Sequence, residues 1–405
     1  MDANLAAGLP PEDDALLTEL SVGVDFITDF WLEQYLDNYI ALGGSKMKFL
    51  TGDAGSGKTH CLRLFLAGAA RRGYKTVLLS TRTTWLHDFR ELYAAVLAAV
   101  DLPGSLARYA DAIVREMGYA PEDFAPEETL ADFLSRTGRF SPLTRREIRE
   151  QIADLFLNNP RIDNNFALAC SALTGGLLGY PALEPQNRSL LLDWLGGEKV
   201  RMAALRKLGL TAGRITKHNA RHMLRSLAEV LHSAGHAGLI VGVDDMDIFV
   251  RPAEPNILHY TKLRREDAYE SIRELIDEID TLSHLMLVFS FERRLLDDER
   301  IGLKSYQALW MRIQNEIDSD CFNRFADIID LDRLARLVYT PETLVEISRR
   351  LAAHLTAAGL PASPVDETAA AALKNGPAVN CAGLPRKLHW LTCGGPALPG
   401  GEEDG

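Results

Sequence analysis

This 405-residue sequence predicts an α/β fold built on a parallel sheet, and three observations carry the prediction. Near the start, a short apolar run, a glycine-rich turn, a helical pattern and a second apolar run follow one another closely, which is the order of a parallel βαβ unit. Two more apolar runs, Leu239 to Val243 (LIVGV) and Leu285 to Ser290 (LMLVFS), return far downstream. Nearly everything between the early and late runs has helical periodicity.

Each element has its own justification. From about Val24 to Leu42, Phe26, Phe30, Trp31, Tyr35, Leu36 and Ile40 recur at helical spacing, and Gly43-Gly44 closes the helix. Met47 to Leu50 reads as a strand, Lys58 to Arg72 as a helix ended by Gly73, and Lys75 to Thr81 (KTVLLST) as a buried strand. From Thr83 to His236 the pattern is helical and densely punctuated, by Pro103-Gly104, Asn158-Asn159-Pro160 and Gly196-Gly197 among others, so this span reads as a helical insertion. Ile328 to Leu331 is a weaker strand pattern, and helices resume from Pro341 to about Leu391. The expected organisation is a first part of the core over 1–82, the insertion over 83–236, a second part of the core over 237–340, a helical lid over 341–393 and a disordered tail over 394–405.

Composition excludes several classes. With 47% hydrophobic and 25% charged residues the chain is ordinary globular protein, not a collagen-like or mainly disordered one. No apolar run approaches the roughly 18 to 20 residues of a membrane span, and the acidic start MDANLAAGLPPEDD is unlike a signal peptide, so a cytoplasmic protein with no membrane partner is expected. Five cysteines without a C-x-x-C pair indicate neither a disulfide framework nor a zinc site. The net charge of −12 argues against a surface that is wholly a nucleic-acid platform while leaving room for a local basic stripe. A candidate for such a stripe is Arg201 to Arg221, with Arg201, Arg206, Lys207, Arg214, Lys217 and Arg221, although a set of this kind is more often an exposed helical surface.

The chemistry concentrates in Gly52-Asp53-Ala54-Gly55-Ser56-Gly57-Lys58-Thr59, which fits G-x-x-x-x-G-K-[ST] and leads through His60 into a helix. By composition alone this pattern arises in about one chain in a hundred of this length. Its glycines allow φ > 0, so that successive N–H groups turn inward around a polyphosphate, and the helix N-terminus adds its dipole. Lys58 is expected to reach the β- and γ-phosphates and Thr59 to ligate Mg²⁺. A second acidic site is required, and Gly238 to Asp247 supplies an apolar strand ending in carboxylates. Asp244 is the candidate Mg²⁺ partner. Asp245 is the candidate base; it stands where many such ATPases carry Glu and is one methylene shorter, which predicts slow turnover.

If the 285–290 strand lies between the other two, Ser290 would orient the attacking water, the role called sensor 1, with Glu292 a competing polar group. Arg324, at a helix end running into the 328–331 strand, fits a finger arginine that serves a neighbouring subunit's nucleotide, and Arg386 in Gly383-Leu384-Pro385-Arg386 fits a sensor 2 arginine of the lid. Guanidinium suits both tasks because it stays ionised and grips phosphate bidentately; a surface ion pair accounts for either residue as well. His218 with His222 and His232 with His236 have i, i+4 spacing without H-E-x-x-H, so they read as helix-face residues and not as a metal site.

About 185 residues separate Lys58 from Asp244, with one strand between the motifs, which supports a P-loop NTPase of the additional-strand, AAA+ type carrying a large helical insertion and a C-terminal helical lid. Trp194-Leu195-Gly196-Gly197-Glu198, the LRKLGL of Leu205 to Leu210, Asn219 with the helix through Leu224 to Leu231, the Gly235 to Ile240 lead into the carboxylates, and GLKSYQALWMRI from Gly302 to Ile313 together resemble the ATP-binding proteins of bacterial BREX-type phage-defence operons. The resemblance extends from about Val22 to Leu391. It implies an AAA+ ATPase related in architecture to replication initiators, using ATP and Mg²⁺, assembling with itself and with other defence-operon proteins, with DNA as a further candidate partner. A DNA-loaded ATPase of transposition or replication type and an ATP-bound switch with little turnover are the alternatives.

Overall fold

The computed structural model describes residues 10–211, 213–313, 323–375 and 384–394. Its centre is one five-stranded, all-parallel sheet made of β1 (Ser45–Gly52), β2 (Lys75–Ser80), β3 (Leu239–Asp244), β4 (Leu285–Glu292) and β5 (Ile328–Asp330), in the spatial order β2-β3-β4-β1-β5. β4 therefore lies between β1 and β3, pairing Leu50 with Ser290 on one side and Val243 with Phe289 on the other.

Both faces of β1, β3 and β4 are covered, which is why these strands read as largely apolar runs, whereas β2, expected to be a buried strand, lies at the sheet edge with Val77 buried and Leu78 exposed. Alternate side chains divide between two layers. Met47, Phe49, Val241, Leu287 and Phe289 join a large core shared with the insertion helices. Leu50, Ile240, Met286 and Val288 face the other way, onto Phe65 of the helix Lys58–Arg71 and Trp31 and Leu36 of the N-terminal helical segment. A charged residue enters this layer at Lys48, fully buried in β1, whose ammonium donates to the Phe325 and Ala326 carbonyls at 2.7 Å each and to Asp327.

The strands end within two residues of the sequence expectation, and the 83–236 span is helical as expected, running from Phe89–Ala99 to Ala220–Ser233. Two features of the N-terminal region were not anticipated. A helix, Asp14–Leu20, precedes the expected one. The expected 24–42 helix is α only over Asp25–Trp31 and continues as a π-helix over Leu32–Ile40, with Leu32, Leu36 and Ile40 buried. The histidine pairs also differ: His232 is not a solvated helix-face residue, because its ring stacks on that of buried His284 with centroids 3.4 Å apart. After β5, helices Pro341–Ala357, Glu367–Asn375 and Leu384–Thr392 form a small separate core around Leu344, Val365, Ala370 and Leu388. The tail expected after 394 lies outside the described residues.

Candidate functional site

The site forms at the carboxyl edge of the sheet, where parallel strands leave their loops in a crevice. β1 delivers Gly52 at φ 152° and the loop passes through Gly55 at φ 80° and Gly57 at φ 89°, so three of its turns need backbone conformations that L side chains resist. At Gly52 space is short as well: a Cβ there would stand 2.5 Å from Ser56 Oγ. Gly57 caps the helix Lys58–Arg71 in the left-handed region without a side-chain hydrogen bond, leaving the first-turn N–H groups as unused donors for an anion.

Lys58 lies along this loop, donating to the Gly52 carbonyl at 3.0 Å and the Asp53 carbonyl at 2.8 Å. Burial holds its pKa below the ordinary lysine value, with the carboxylates of Glu292, Asp247 and Asp244 pulling the other way. One residue on, the Thr59 hydroxyl donates to Asp244 Oδ2 at 2.6 Å, joining two motifs far apart in sequence. The other oxygen of Asp244 accepts from the hydroxyl of Ser290, which is fully buried on β4, and from the Asp245 N–H at 2.8 Å. Thr59, Asp244 and Ser290 therefore form one hydrogen-bonded chain from the start of the helix after the glycine loop across β3 to β4.

Asp245 stands in the left-handed region at φ 63°. Its side chain is engaged from β2 and the loop after it: Ser80 donates to Oδ2 at 2.6 Å and Arg82 lies 3.2 Å from Oδ1. Glu292 is paired with Arg251 at 2.6 Å, and Arg251 also reaches Asp247. Burial, with Glu292 second, raises the Asp247 pKa. His60 is turned away from the loop toward the N-terminal segment, its Nε2 sharing a 2.6 Å hydrogen bond with Ser21; burial depresses its pKa to about 4.

A second network braces the loop from behind. Asp332, at the start of the helix Leu331–Val338, accepts the Asp53 N–H at 2.7 Å. Arg293, directly after β4, donates to both oxygens of Asp330 at 2.6 Å, lies 3.2 Å from Asp332 and 3.7 Å from Asp53. Burial and the neighbouring Asp332 push the Asp53 pKa up. Sequence reasoning missed Arg293, Asp330, Asp332, Ser80 and Arg82. Their common signal is position, since each sits at the carboxyl end of a strand or within two residues of it.

Of the two predicted distal arginines, the structure describes the side chain of Arg324. Arg324 occupies a turn before β5, its guanidinium 4.5 Å from the Phe26 ring centroid and 4.6 Å from that of Phe30, which ties it to the N-terminal helix of the same chain. Arg386 belongs to the helix Leu384–Thr392, and its side chain lies outside the described residues.

A glycine-rich loop rising from a buried parallel strand, with a lysine, a threonine and a strand-end aspartate converging on it, belongs to an α/β protein with an all-parallel sheet and is consistent with a P-loop-like fold. The chain belongs to the BREX system ATP-binding protein BrxC/D family, whose model matches residues 3–375. No curated protein and no solved structure matches it. Family membership makes it an ATP-binding protein of a BREX phage-defence system. Among the described residues, no helix is long and apolar enough to cross a membrane.

Proposed function

We propose that the protein is an AAA+ type ATPase that binds ATP with Mg²⁺ through Gly52 to His60 and hydrolyses it slowly within a homo-oligomer that works with other proteins of its defence operon. The observation that carries this reading is the Thr59–Asp244–Ser290 chain, because it brings the hydroxyl and the carboxylate expected of a magnesium site together at the mouth of the glycine loop. The placement of β4 between β1 and β3 supports the additional-strand topology.

The donor set fits Mg²⁺. Thr59 Oγ1 and Asp244 Oδ2 are hard oxygen ligands, and two such groups suffice when substrate phosphates and water supply the remainder. When bound, the ion neutralises the β- and γ-phosphate oxygens. The chain's own residues then divide the work. The loop amides and Lys58 hold the triphosphate, Lys58 exchanging the carbonyls of Gly52 and Asp53 for phosphate oxygens. Asp245 orients the attacking water. Ser290 acts through Asp244, fixing the rotation of its carboxylate as a positioning residue. Arg324 of a neighbouring subunit and Arg386 of the lid supply positive charge to the transferring phosphoryl group; a trans arginine is worth about 10³ to 10⁵ in rate. For that, Arg324 has to leave the rings of Phe26 and Phe30.

A second reading, an ATP-holding switch with little turnover, is favoured by one observation: both oxygens of Asp245 are already engaged, by Ser80 and Arg82. Calorimetry with MgATP, phosphate release and sedimentation with ATP or ADP test both readings on the full chain. Binding heat in wild type that is lost in Lys58→Ala, together with phosphate release that rises with protein concentration, is the expected result. Absence of heat in wild type refutes nucleotide binding, and tight binding with no phosphate release selects the switch.

A further inference from the structure

The insertion contains a stretch of unusual charge. From Lys199 to Ala228 there are eight Lys and Arg residues and no Asp or Glu, in a chain whose net charge is −12. The structure divides the eight. Arg221 is turned inward and shared between Glu274 at 2.5 Å and Glu278 at 2.9 Å, and Arg225 is half-buried. The other six, Lys199, Arg201, Arg206, Lys207, Arg214 and Lys217, are exposed, and within the described residues none of them forms an ion pair.

These six charges stand on a fastened frame. Leu205, Leu210 and Ile215 are buried and face inward between them. Trp194 donates its indole N–H to the Gly213 carbonyl at 3.1 Å, Asn165 accepts the Thr211 N–H at 3.0 Å, and Asn219 accepts the Thr216 N–H at 2.7 Å. A ligand that meets such a segment orders side chains only and leaves the backbone as it is, which lowers the entropy cost of binding.

The chemistry of the segment narrows its partner. It has no Phe, Tyr or Trp, so it offers no stacking platform of the kind that proteins use for single strands. The rings of the insertion that lie beside its exposed arginines are themselves covered: Phe140 and Tyr180 by Arg145 at 4.5 and 5.9 Å, Tyr180 also by Arg149 at 5.7 Å, and Phe133 by Arg136 at 5.2 Å. Nor does the segment contain any of the large exposed hydrophobic residues that would anchor a protein partner. What remains is an array of exposed guanidinium and ammonium groups, Arg206, Lys207, Arg214 and Lys217 among them, suited to regularly repeated phosphates.

We propose that this face of the insertion binds the sugar-phosphate backbone of duplex DNA without reading base sequence. The inference is independent of the nucleotide site, and its test is built to fail separately from it. Fluorescence anisotropy of a labelled duplex, titrated with the full chain over a range of salt concentrations with and without MgATP, gives the affinity and its salt slope. The comparison protein is the quadruple variant Arg206→Ala, Lys207→Ala, Arg214→Ala, Lys217→Ala, with Arg206→Lys, Arg214→Lys as the charge-preserving control. Wild type is expected to bind with a steep slope, and each cation–phosphate pair removed by the quadruple variant should flatten that slope by about 0.9. Affinity should fall at least about tenfold in the quadruple variant and stay near wild type in the lysine control, while the heat of MgATP binding is unchanged in both. Absence of duplex binding at low salt overturns the proposal, as does a quadruple variant that binds like wild type. Equal or tighter binding of single-stranded DNA or duplex RNA, or displacement of the duplex by polyglutamate at equal charge concentration, also overturns it.

Discussion

Arg293 offers the sharpest test of how the glycine loop is supported. Arg293→Ala removes the one cation that faces Asp330, Asp332 and Asp53 together. Breaking a buried ion pair on one side costs roughly 3–5 kcal/mol because the remaining charge is stranded. Here the arginine side chain is 31% exposed, while Asp330 and Asp332 are 14% and 8% exposed, so water screens the cation more than the acids it leaves behind. The expected loss of stability near neutral pH is therefore about 2–3 kcal/mol. The pH dependence has a definite sign. Stranded carboxylates bind protons more readily in the folded variant than in the unfolded chain, as Asp53 already does in the intact protein because of burial and Asp332. The destabilisation should thus be largest above the raised carboxylate values and shrink as acid protonates the cluster. Urea denaturation of wild type and variant, near neutrality and at about pH 4.5, reads both effects, and Asp332→Asn in the Arg293→Ala background should recover about 1 kcal/mol of the loss. A variant as stable as wild type at neutrality, or a deficit that grows on acidification, would show that the network does not hold the loop as described.

Chelation of Mg²⁺ by EDTA should weaken ATP binding at least about tenfold by calorimetry, since the loop is ringed by carboxylates that repel an uncompensated triphosphate; equal affinity with and without the metal counts against Thr59 and Asp244 as its site. Asp245→Glu should raise the rate of phosphate release, by reaching one methylene further toward the water, and an unchanged or lower rate removes the argument that the shorter acid limits turnover. His60, with its pKa depressed to about 4, must take up a proton on unfolding between that value and the ordinary histidine range. Stability is therefore lost as pH falls from about 6.5 toward 4, and His60→Gln should show a flatter decline in urea midpoint over that window. A slope identical to wild type would assign the acid sensitivity to other groups.

What could be read from the sequence follows from which forces are local. β1, β3 and β4 are buried on both faces, so β3 and β4 are apolar except at their carboxyl ends, β1 is apolar except for Lys46, Lys48 and its ends, and the strands stand out against the helical periodicity around them. The glycine loop was legible because its backbone requirements at Gly52, Gly55 and Gly57 restrict the residue type directly. The N-terminal π-helix was not, because Leu32, Leu36 and Ile40 keep an i, i+4 pattern that an α-helix would share. The strand carrying Ser290 was legible from its apolar run, but its position between β1 and β3 and the hydrogen bond from the Ser290 hydroxyl to Asp244 depend on the strand order, which the sequence left open. The Arg293 brace was invisible, since Asp53, Arg293 and Asp332 are brought together only by the strand order, and no periodicity in the sequence encodes which strand ends meet.

The charge inventory at the loop supports the need for help from outside the core. Asp53, Asp244, Asp245, Asp247, Glu292, Asp330 and Asp332 crowd around it, and among the described residues the cations beside them are Lys58, Arg82, Arg251, Arg293 and Arg333. Four of those cations are already committed: Arg82 to Asp245, Arg251 to Asp247 and Glu292, Arg293 to Asp330 and Asp332, and Arg333 to Asp330. Lys58 alone is left to meet a triphosphate whose charge is several times its own. A core so poor in free positive charge can hold the nucleotide's ground state through backbone amides and a divalent ion, but for the charge that develops as the terminal phosphoryl group departs it offers, among the described residues, Lys58 as its one uncommitted cation. This is the physical reason to seek the missing arginines at Arg324 of a neighbour and Arg386 of the C-terminal helices, and it makes assembly a condition of turnover in the proposed mechanism.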